Sequence, residues 1–237
     1  MSYLIPELSV FFPAYNEEGN IKKTILDAKK VLLKVAKKWE IVIVNDGSKD
    51  KTLQIAENLS QSDKRIKVIN QPNKGYGGAI KTGLYDCIYS WITFTDSDGQ
   101  FDFAEITNFI EEQKITKADL VIGYYKKRQV SKFKIYTSKL WEIAVFLLFG
   151  LHVTDIDCGF KLISKKVIDK IPTLESERGA FISSEFLIKT KKKGFKIVEI
   201  PVTHYPRIMG SGTGRNINVI IKSFIDLGKL WVKLNLG

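Results

Sequence analysis

An α/β fold built on a largely parallel sheet is predicted by three features of this 237-residue chain. The first half alternates short apolar runs with stretches of helical periodicity, the signature of βα units feeding a parallel sheet. The segments that follow four successive strand candidates are polar and rich in Asn, Asp, Gly and Pro, as ligand-binding rims at the carboxyl ends of parallel strands are. A hydrophobic fraction of 44% with 11% aromatic residues supplies a packed core and excludes a disordered, collagenous or disulfide-stapled chain.

The elements follow in order. Strands are expected at 8–12, 40–45, 66–70, 91–95 and 119–123, each an apolar run bounded by turn residues. Ile21, Ile25, Ala28, Leu32 and Val35 recur at helical spacing. Asp50 is placed to cap a helix through Leu59, and Asp102 with Glu105 forms a capping-box-like start for the next. The second half is less regular. A basic stretch, 126–139, contains no acid and leads into an apolar helix at 140–151. A helix carrying Glu185 and the run Lys189 to Lys193 precedes an alternating strand at 196–205. The glycine-rich segment 210–215 has loop composition and introduces an amphipathic helix at 217–234.

The net charge of +11 is segregated. Residues 1–125 hold 16 basic and 17 acidic side chains, whereas 126–237 hold 21 and 9. A one-sided positive field implies an anionic partner: phosphate, membrane surface or nucleic acid. Only five of the 37 basic residues are Arg, which weakens the case for sequence-specific DNA reading. Cys87 and Cys158 stand 71 residues apart, with no CxxC and two His in the chain, so zinc-site spacing is absent and a reducing compartment is expected. The N-terminus lacks a basic n-region and reads as the run-in to a strand. The longest apolar run, 143–153, falls short of the ~18 residues of a spanning helix, so none is expected.

Chemistry concentrates on the strand-end rims. Asp96-Ser97-Asp98 closes an apolar strand and is followed by Gly99-Gln100; two carboxylates one residue apart can face a hard divalent cation, with the Gln100 amide oxygen beside them. Asp46 ends the apolar run 41–44 and can accept from a base N–H, with Pro13 and Tyr15 as a flat wall and Glu17 as a further acceptor. Gly75 to Ile80 resembles a dinucleotide fingerprint but follows the third strand, and Lys74 with a glycine-rich helix start explains it as well. Arg207 and Arg215 bracket the glycine-rich segment, the composition of a loop that closes on an anion. Lys126, Lys127, Arg128, Lys132 and Lys134 could meet the same anion, or anionic lipid at roughly 1 kcal/mol each. His152 and His204 read as structural.

Taken in order, Pro13-Ala14-Tyr15-Asn16-Glu17, Asn45-Asp46-Gly47-Ser48, Asn73-Lys74-Gly75, Asp96-Ser97-Asp98-Gly99-Gln100, Thr154-Asp155 with Cys158-Gly159-Phe160, and Ser184-Glu185 resemble the inverting family-two glycosyltransferases of GT-A fold, particularly the polyprenyl-phosphate sugar synthases. The resemblance implies a metal-dependent enzyme moving mannose or glucose from GDP-mannose or UDP-glucose to a dolichyl or undecaprenyl phosphate. It implies that Pro13, Ala14, Tyr15, Glu17, Asp46, Lys74 and Asp96 hold the nucleotide, and that Asp96, Asp98 and Gln100 hold Mg²⁺ or Mn²⁺. Asp98, Asp155, Glu185 and Arg207 would be the catalytic group. Family members carry an arginine shortly after the fifth strand, where this chain has Tyr124-Tyr125-Lys126; the acceptor phosphate would then use Lys126, Lys132 and Lys134 with Arg207. One catalytic domain is expected over 1–215, with a donor half to about 125 and an acceptor half after it. Residues 216–237 would form a membrane-interfacial helix, and Trp141 to Leu151 with Trp231 would help a peripheral enzyme meet the cytoplasmic face of the bilayer. Two alternatives stand: a family-two transferase with a saccharide or protein acceptor, using Asp155 or Asp157 as base, and a non-catalytic nucleotide- or RNA-binding protein, against which the aromatic-poor lysine runs argue.

Overall fold

The computed structural model describes residues 3–126, 132–176, 179, 181–206 and 217–236. Among them the chain runs β1 (Ile5–Ala14), α1 (Ile21–Val35), β2 (Ala36–Asp46), α2 (Thr52–Ser62), β3 (Ile66–Gln71), α3 (Tyr76–Asp86) and β4 (Trp91–Phe94). It continues through a 3₁₀ turn (Phe103–Glu105), α4 (Ile106–Thr116), β5 (Leu120–Tyr125), α5 (Lys132–Phe149), β6 (Lys161–Ser164), α6 (Lys165–Lys170), α7 (Phe181–Lys192), β7 (Ile197–Val202) and α8 (Ile217–Leu236). The described strands form one seven-stranded sheet in the order β3-β2-β1-β4-β6-β5-β7.

Every pairing in the first half is parallel, as the βα alternation predicts. The two sheet faces divide the strand side chains by alternation. Leu8, Val10, Phe12, Ile41 and Ile43 pack beneath α1 and α4, while Phe11, Val42 and Val44 pack on the other face with α3, α5 and α7. Burial on both faces is why these strands read as nearly unbroken apolar runs.

β6 is not anticipated from the sequence, and neither is the short α6 that follows it. Four residues, Lys-Leu-Ile-Ser, offer no period to detect, yet the strand inserts antiparallel between β4 and β5. Its reversal carries the preceding segment, 154–160, up to the carboxyl ends of the parallel strands. α5 also begins at Lys132, eight residues before the apolar stretch, because Lys and Tyr extend a helix without extending its apolar pattern. Asp102 Oδ1 accepts from Ala104 N at 2.9 Å as a cap should, but Glu105 accepts from Thr203 N at 3.1 Å and so joins α4's start to the end of β7. α8 buries Leu227 and Leu230 in the core layer shared with α5 and α7. Among the described residues no helix is long and apolar enough to cross a membrane.

Candidate active site

The ends of β1 and β2 are bound together by reciprocal turn contacts. Asn16 takes a positive φ of 56° and its Oδ1 accepts from Lys49 N at 2.8 Å, while its own N–H donates to Ser48 Oγ at 3.0 Å. Glu17 N donates to Thr52 Oγ1 at 2.8 Å, and Glu17 Oε2 accepts from Asn20 Nδ2, which closes the start of α1. Tyr15 remains 42% exposed, an aromatic face standing at the rim beside Pro13 and Ala14.

Asp46 is 3% exposed and engaged from three sides. Its carboxylate accepts from Gln71 Nε2 (2.7 Å), Lys74 N (2.9 Å) and Gly75 N (2.8 Å). Within the protein, then, Asp46 shapes the turn into α3, and Gly75 with φ 82° supplies the bend. The Lys74 side chain is exposed and lies across Gly78, where any Cβ would collide with it. Gly78 thus serves the close packing of Lys74, in keeping with a glycine-rich helix start rather than a dinucleotide fingerprint.

At the end of β4 the carboxylate pair is held from several directions. Ser97 Oγ donates to the carbonyl of Pro13 at 2.7 Å, tying the motif to the β1 rim. Asp98 is 5% exposed and accepts from Gln100 N at 3.0 Å, a tight turn in which Gly99 takes φ 75°. Tyr76 donates to Asp96 Oδ1 at 3.2 Å; burial first, then the Asp96 charge, pushes this phenol well above its ordinary pKa, so it stays a donor. Gln100 is clasped to Tyr205, its Nε2 donating to the Tyr205 carbonyl at 2.9 Å and its carbonyl accepting from Tyr205 N at 2.8 Å. On the far side lies Gly159, where a Cβ would come within 2.6 Å of Asp96 Oδ2. The antiparallel register of β4 with β6, Phe94 opposite Lys161, predicts that neighbourhood when it is continued by two residues.

The other side of the rim is assembled from later elements. Asp155 is 1% exposed and accepts from Asp157 N at 3.1 Å. Cys158 is buried, which raises its thiol to about 12 and leaves it protonated. Tyr125, at the position where the resemblance leads us to expect an arginine, sits in an aromatic cluster with His204 (4.6 Å between ring centroids) and Phe101 (6.1 Å). Burial raises its pKa as well. Glu185 is 1% exposed, and its donors are Glu175 N (2.9 Å), Ser176 N (2.8 Å) and Lys189 Nζ (2.5 Å). That arrangement fastens the 173–176 segment to α7, with Lys189 also donating to the Thr173 carbonyl. Lys126 is exposed at the end of β5. Lys132 and Lys134 fall in the first turn of α5; their side chains, together with Lys127, Arg128, Arg207 and Arg215, lie outside the described residues.

Of the residues expected from sequence, the structure gathers Pro13, Ala14, Tyr15, Glu17, Asp46, Lys74, Asp96, Asp98, Gln100 and Asp155 on one rim, and Glu185 into a separate clasp. Sequence reasoning passed over Tyr76, Lys161 and Lys189. Lys161 stands between Phe160 and the apolar pair Leu162-Ile163, which is the one signal that this lysine goes inside. The carboxylate oxygens of Asp96, whose place Gly159 keeps clear, and of Asp98 two residues on are donors that suit Mg²⁺ or Mn²⁺.

The chain resembles known proteins along most of its length. It is 32% identical over 244 residues to a dolichyl-phosphate beta-glucosyltransferase of Trichomonas vaginalis, covering 97% of this chain and 74% of that protein. It is 31% identical over 221 residues to the dolichyl-phosphate beta-glucosyltransferase of Saccharomyces cerevisiae, covering 83% and 66%. The chain thus spans about two thirds to three quarters of the length of these relatives. Among solved structures, glucosyl-3-phosphoglycerate synthase from Mycobacterium tuberculosis, in complex with Mn²⁺, UDP and phosphoglyceric acid, superposes with a TM-score of 0.70 at 17% identity. That match covers 95% of this chain and 78% of the other, and shows the shared GT-A fold. Residues 9–172, which contain the whole rim from Pro13 to Asp155, match glycosyl transferase family 2, and to that family of enzymes the chain belongs.

Proposed function

We propose that the enzyme transfers a hexose, glucose in preference to mannose, from a nucleoside diphosphate sugar to the phosphate of a polyprenyl phosphate, with inversion at the anomeric carbon. The observation that supports this reading is the place of the Asp96-Ser97-Asp98 turn, tied to the β1 rim by the Ser97 hydroxyl and set against the 154–160 segment where Gly159 meets the Asp96 carboxylate. Donor and acceptor then face one point from opposite sides. The similarity to dolichyl-phosphate beta-glucosyltransferases supports both the sugar and the acceptor class.

In this reading Tyr15, Pro13 and Ala14 flank the base, and Glu17 and Asp46 fix the turns around it. The turn fixed by Asp46 presents Lys74 to the diphosphate. Asp96, Asp98 and Gln100 hold Mg²⁺ or Mn²⁺. Among the described residues no group of three or more His, Cys, Asp or Glu forms a metal cage of its own, so the cation would share its shell with the diphosphate. When bound, it stabilises the charge that develops on the departing nucleoside diphosphate. A lipid phosphate is already an anionic nucleophile and needs cations to position it, the role assigned to Lys126, Lys132, Lys134 and Arg207. Asp155, 1% exposed, lines the sugar side, and that burial suits it poorly to serve as the base a saccharide hydroxyl would need. Glu185 supports the site by holding the 173–176 segment.

The apolar residues left exposed on α5 (Leu140, Ile143, Phe146, Leu147, Leu148) and α8 (Ile225, Val232, Leu236) form the face that lies on the cytoplasmic surface of a membrane. Residues 1–215 act as the catalytic domain, with 216–237 as its interfacial helix.

Calorimetric titration of UDP-glucose and GDP-mannose with and without Mn²⁺, followed by transfer of labelled sugar to polyprenyl phosphate, tests the reading. Metal-dependent binding of UDP-glucose and labelled lipid product are expected; transfer to a saccharide but not to the lipid would overturn it.

A further inference from the structure

β6 opens with Lys161, whose side chain is 1% exposed although it carries an ammonium group. Burial lowers its pKa, while Asp155, Asp157 and Asp96 act through the protein in the opposite sense. Enclosing a charge in a low-dielectric interior is costly, and an apolar residue would serve a short central strand as well. The compensation lies in what the ammonium holds. Its Nζ donates to the carbonyls of Ile156, at 3.4 Å, and Cys158. Those two carbonyls belong to the segment that ends at Gly159, against which the Asp96 carboxylate rests.

We infer that Lys161 is a positioning residue for metal binding: it fixes segment 156–159 as the wall that sets where the Asp96 carboxylate can lie. The inference rests on the reading in which Asp96 and Asp98 take the divalent cation. Lys161 touches neither substrate nor metal, and acts through the Gly159 backbone. Two effects of its removal oppose each other and can be separated. Deleting a nearby positive charge would by itself tighten cation binding, whereas losing the wall would weaken it.

The test is Mn²⁺ uptake by the full chain in the presence of UDP, followed by the electron paramagnetic resonance signal of free Mn²⁺, with circular dichroism as the check on folding. Lys161→Met should weaken uptake roughly tenfold or more, the range found when groups orienting a metal ligand are lost. Lys161→Arg should recover part of it. Gly159→Ala, which leaves the ammonium in place, should cause a comparable loss by displacing Asp96, and it decides the matter if Lys161→Met does not fold. Unchanged or tighter uptake by folded Lys161→Met, or wild-type uptake by Gly159→Ala, would overturn the inference. Loss of uptake in Asp98→Asn alone would leave the metal reading standing while this inference fell. A wild-type chain that takes up no Mn²⁺ would end both.

Discussion

Both flanks of the site use carboxylates that accept from backbone N–H groups, but among the described residues only the second adds buried ammonium groups. On the β1–β3 side, carboxylates accept from backbone N–H groups: Asp46 from Lys74 and Gly75, Asp50 from Glu18 and Thr52, Glu18 from Lys51. On the β5–β7 side, ammonium groups go inside, with Lys189 on Glu185 and the Thr173 carbonyl, and Lys161 on the carbonyls beneath Gly159. The first flank belongs to a nearly neutral half of the chain and the second to a half with a large excess of base. In the proposed reading the donor is met by fixed turns on the first flank, and the acceptor phosphate by the excess of base in the second half, a field that acts over a Debye length and is weakened by salt.

The comparison breaks most visibly at the point where the flanks meet. Asp98→Asn removes one of two carboxylates facing the proposed cation and should abolish Mn²⁺-dependent donor binding, a loss beyond a hundredfold in calorimetry. Unchanged affinity would remove Asp98 from the metal site.

Next in size is the buried pair on the basic flank. Glu185→Gln leaves Lys189 enclosed without its carboxylate and should cost about 3–5 kcal/mol in urea unfolding at pH 7. Burial opposes ionisation of Glu185, but hydrogen bonds from Lys189, Ser176 and Glu175 prevail and hold its pKa below the ordinary 4.5. A carboxylate lowered on folding adds stability above its unfolded pKa and loses it as the pH falls through the folded value. The wild-type chain should therefore lose stability below about pH 4.5, with the variant showing a shallower acid limb; parallel limbs would show that Glu185 is not the titrating group.

Much of this was legible in advance on one flank and little on the other. Parallel strands buried on both faces announce themselves as apolar runs, and each strand end is followed by turn chemistry, so Asp46, Asp96 and Asp98 could be placed on one rim from sequence. β6 could not, because four residues carry no period and antiparallel insertion between β4 and β5 is a long-range choice. Lys161 and Lys189 were hidden for a related reason: a lysine is presumed exposed, and only the tertiary structure shows carbonyls and a carboxylate waiting inside. Glu185 was marked by its motif, but the motif says nothing of the donors from 173–176 that occupy it.

A middle-sized effect separates the flanks by ligand. Asp46→Asn puts an amide donor near the N–H groups of Lys74 and Gly75 and should raise the donor KM about tenfold, the cost of roughly one misdirected hydrogen bond to a charged group. The KM for polyprenyl phosphate should stay constant. Arg207→Ala should do the reverse, weakening lipid use while sparing donor affinity, and an equal loss for both ligands in either variant would erase the distinction.

The smallest change in the protein itself is expected on the apolar face. Leu147 is 74% exposed in the last turn of α5, so Leu147→Asp removes no core contact and should cost only about 1 kcal/mol, from helix propensity and the helix dipole. Donor binding, which the proposed function places on the other flank, should be unchanged. Sedimentation with anionic phospholipid vesicles should nonetheless fall several-fold, because a leucine buried in the interface contributes up to about 1.5–3 kcal/mol and an aspartate adds repulsion. Transfer to a short, water-soluble prenyl phosphate should survive while transfer to a bilayer-embedded acceptor declines. If both decline together, α5 serves the reaction centre and not the membrane.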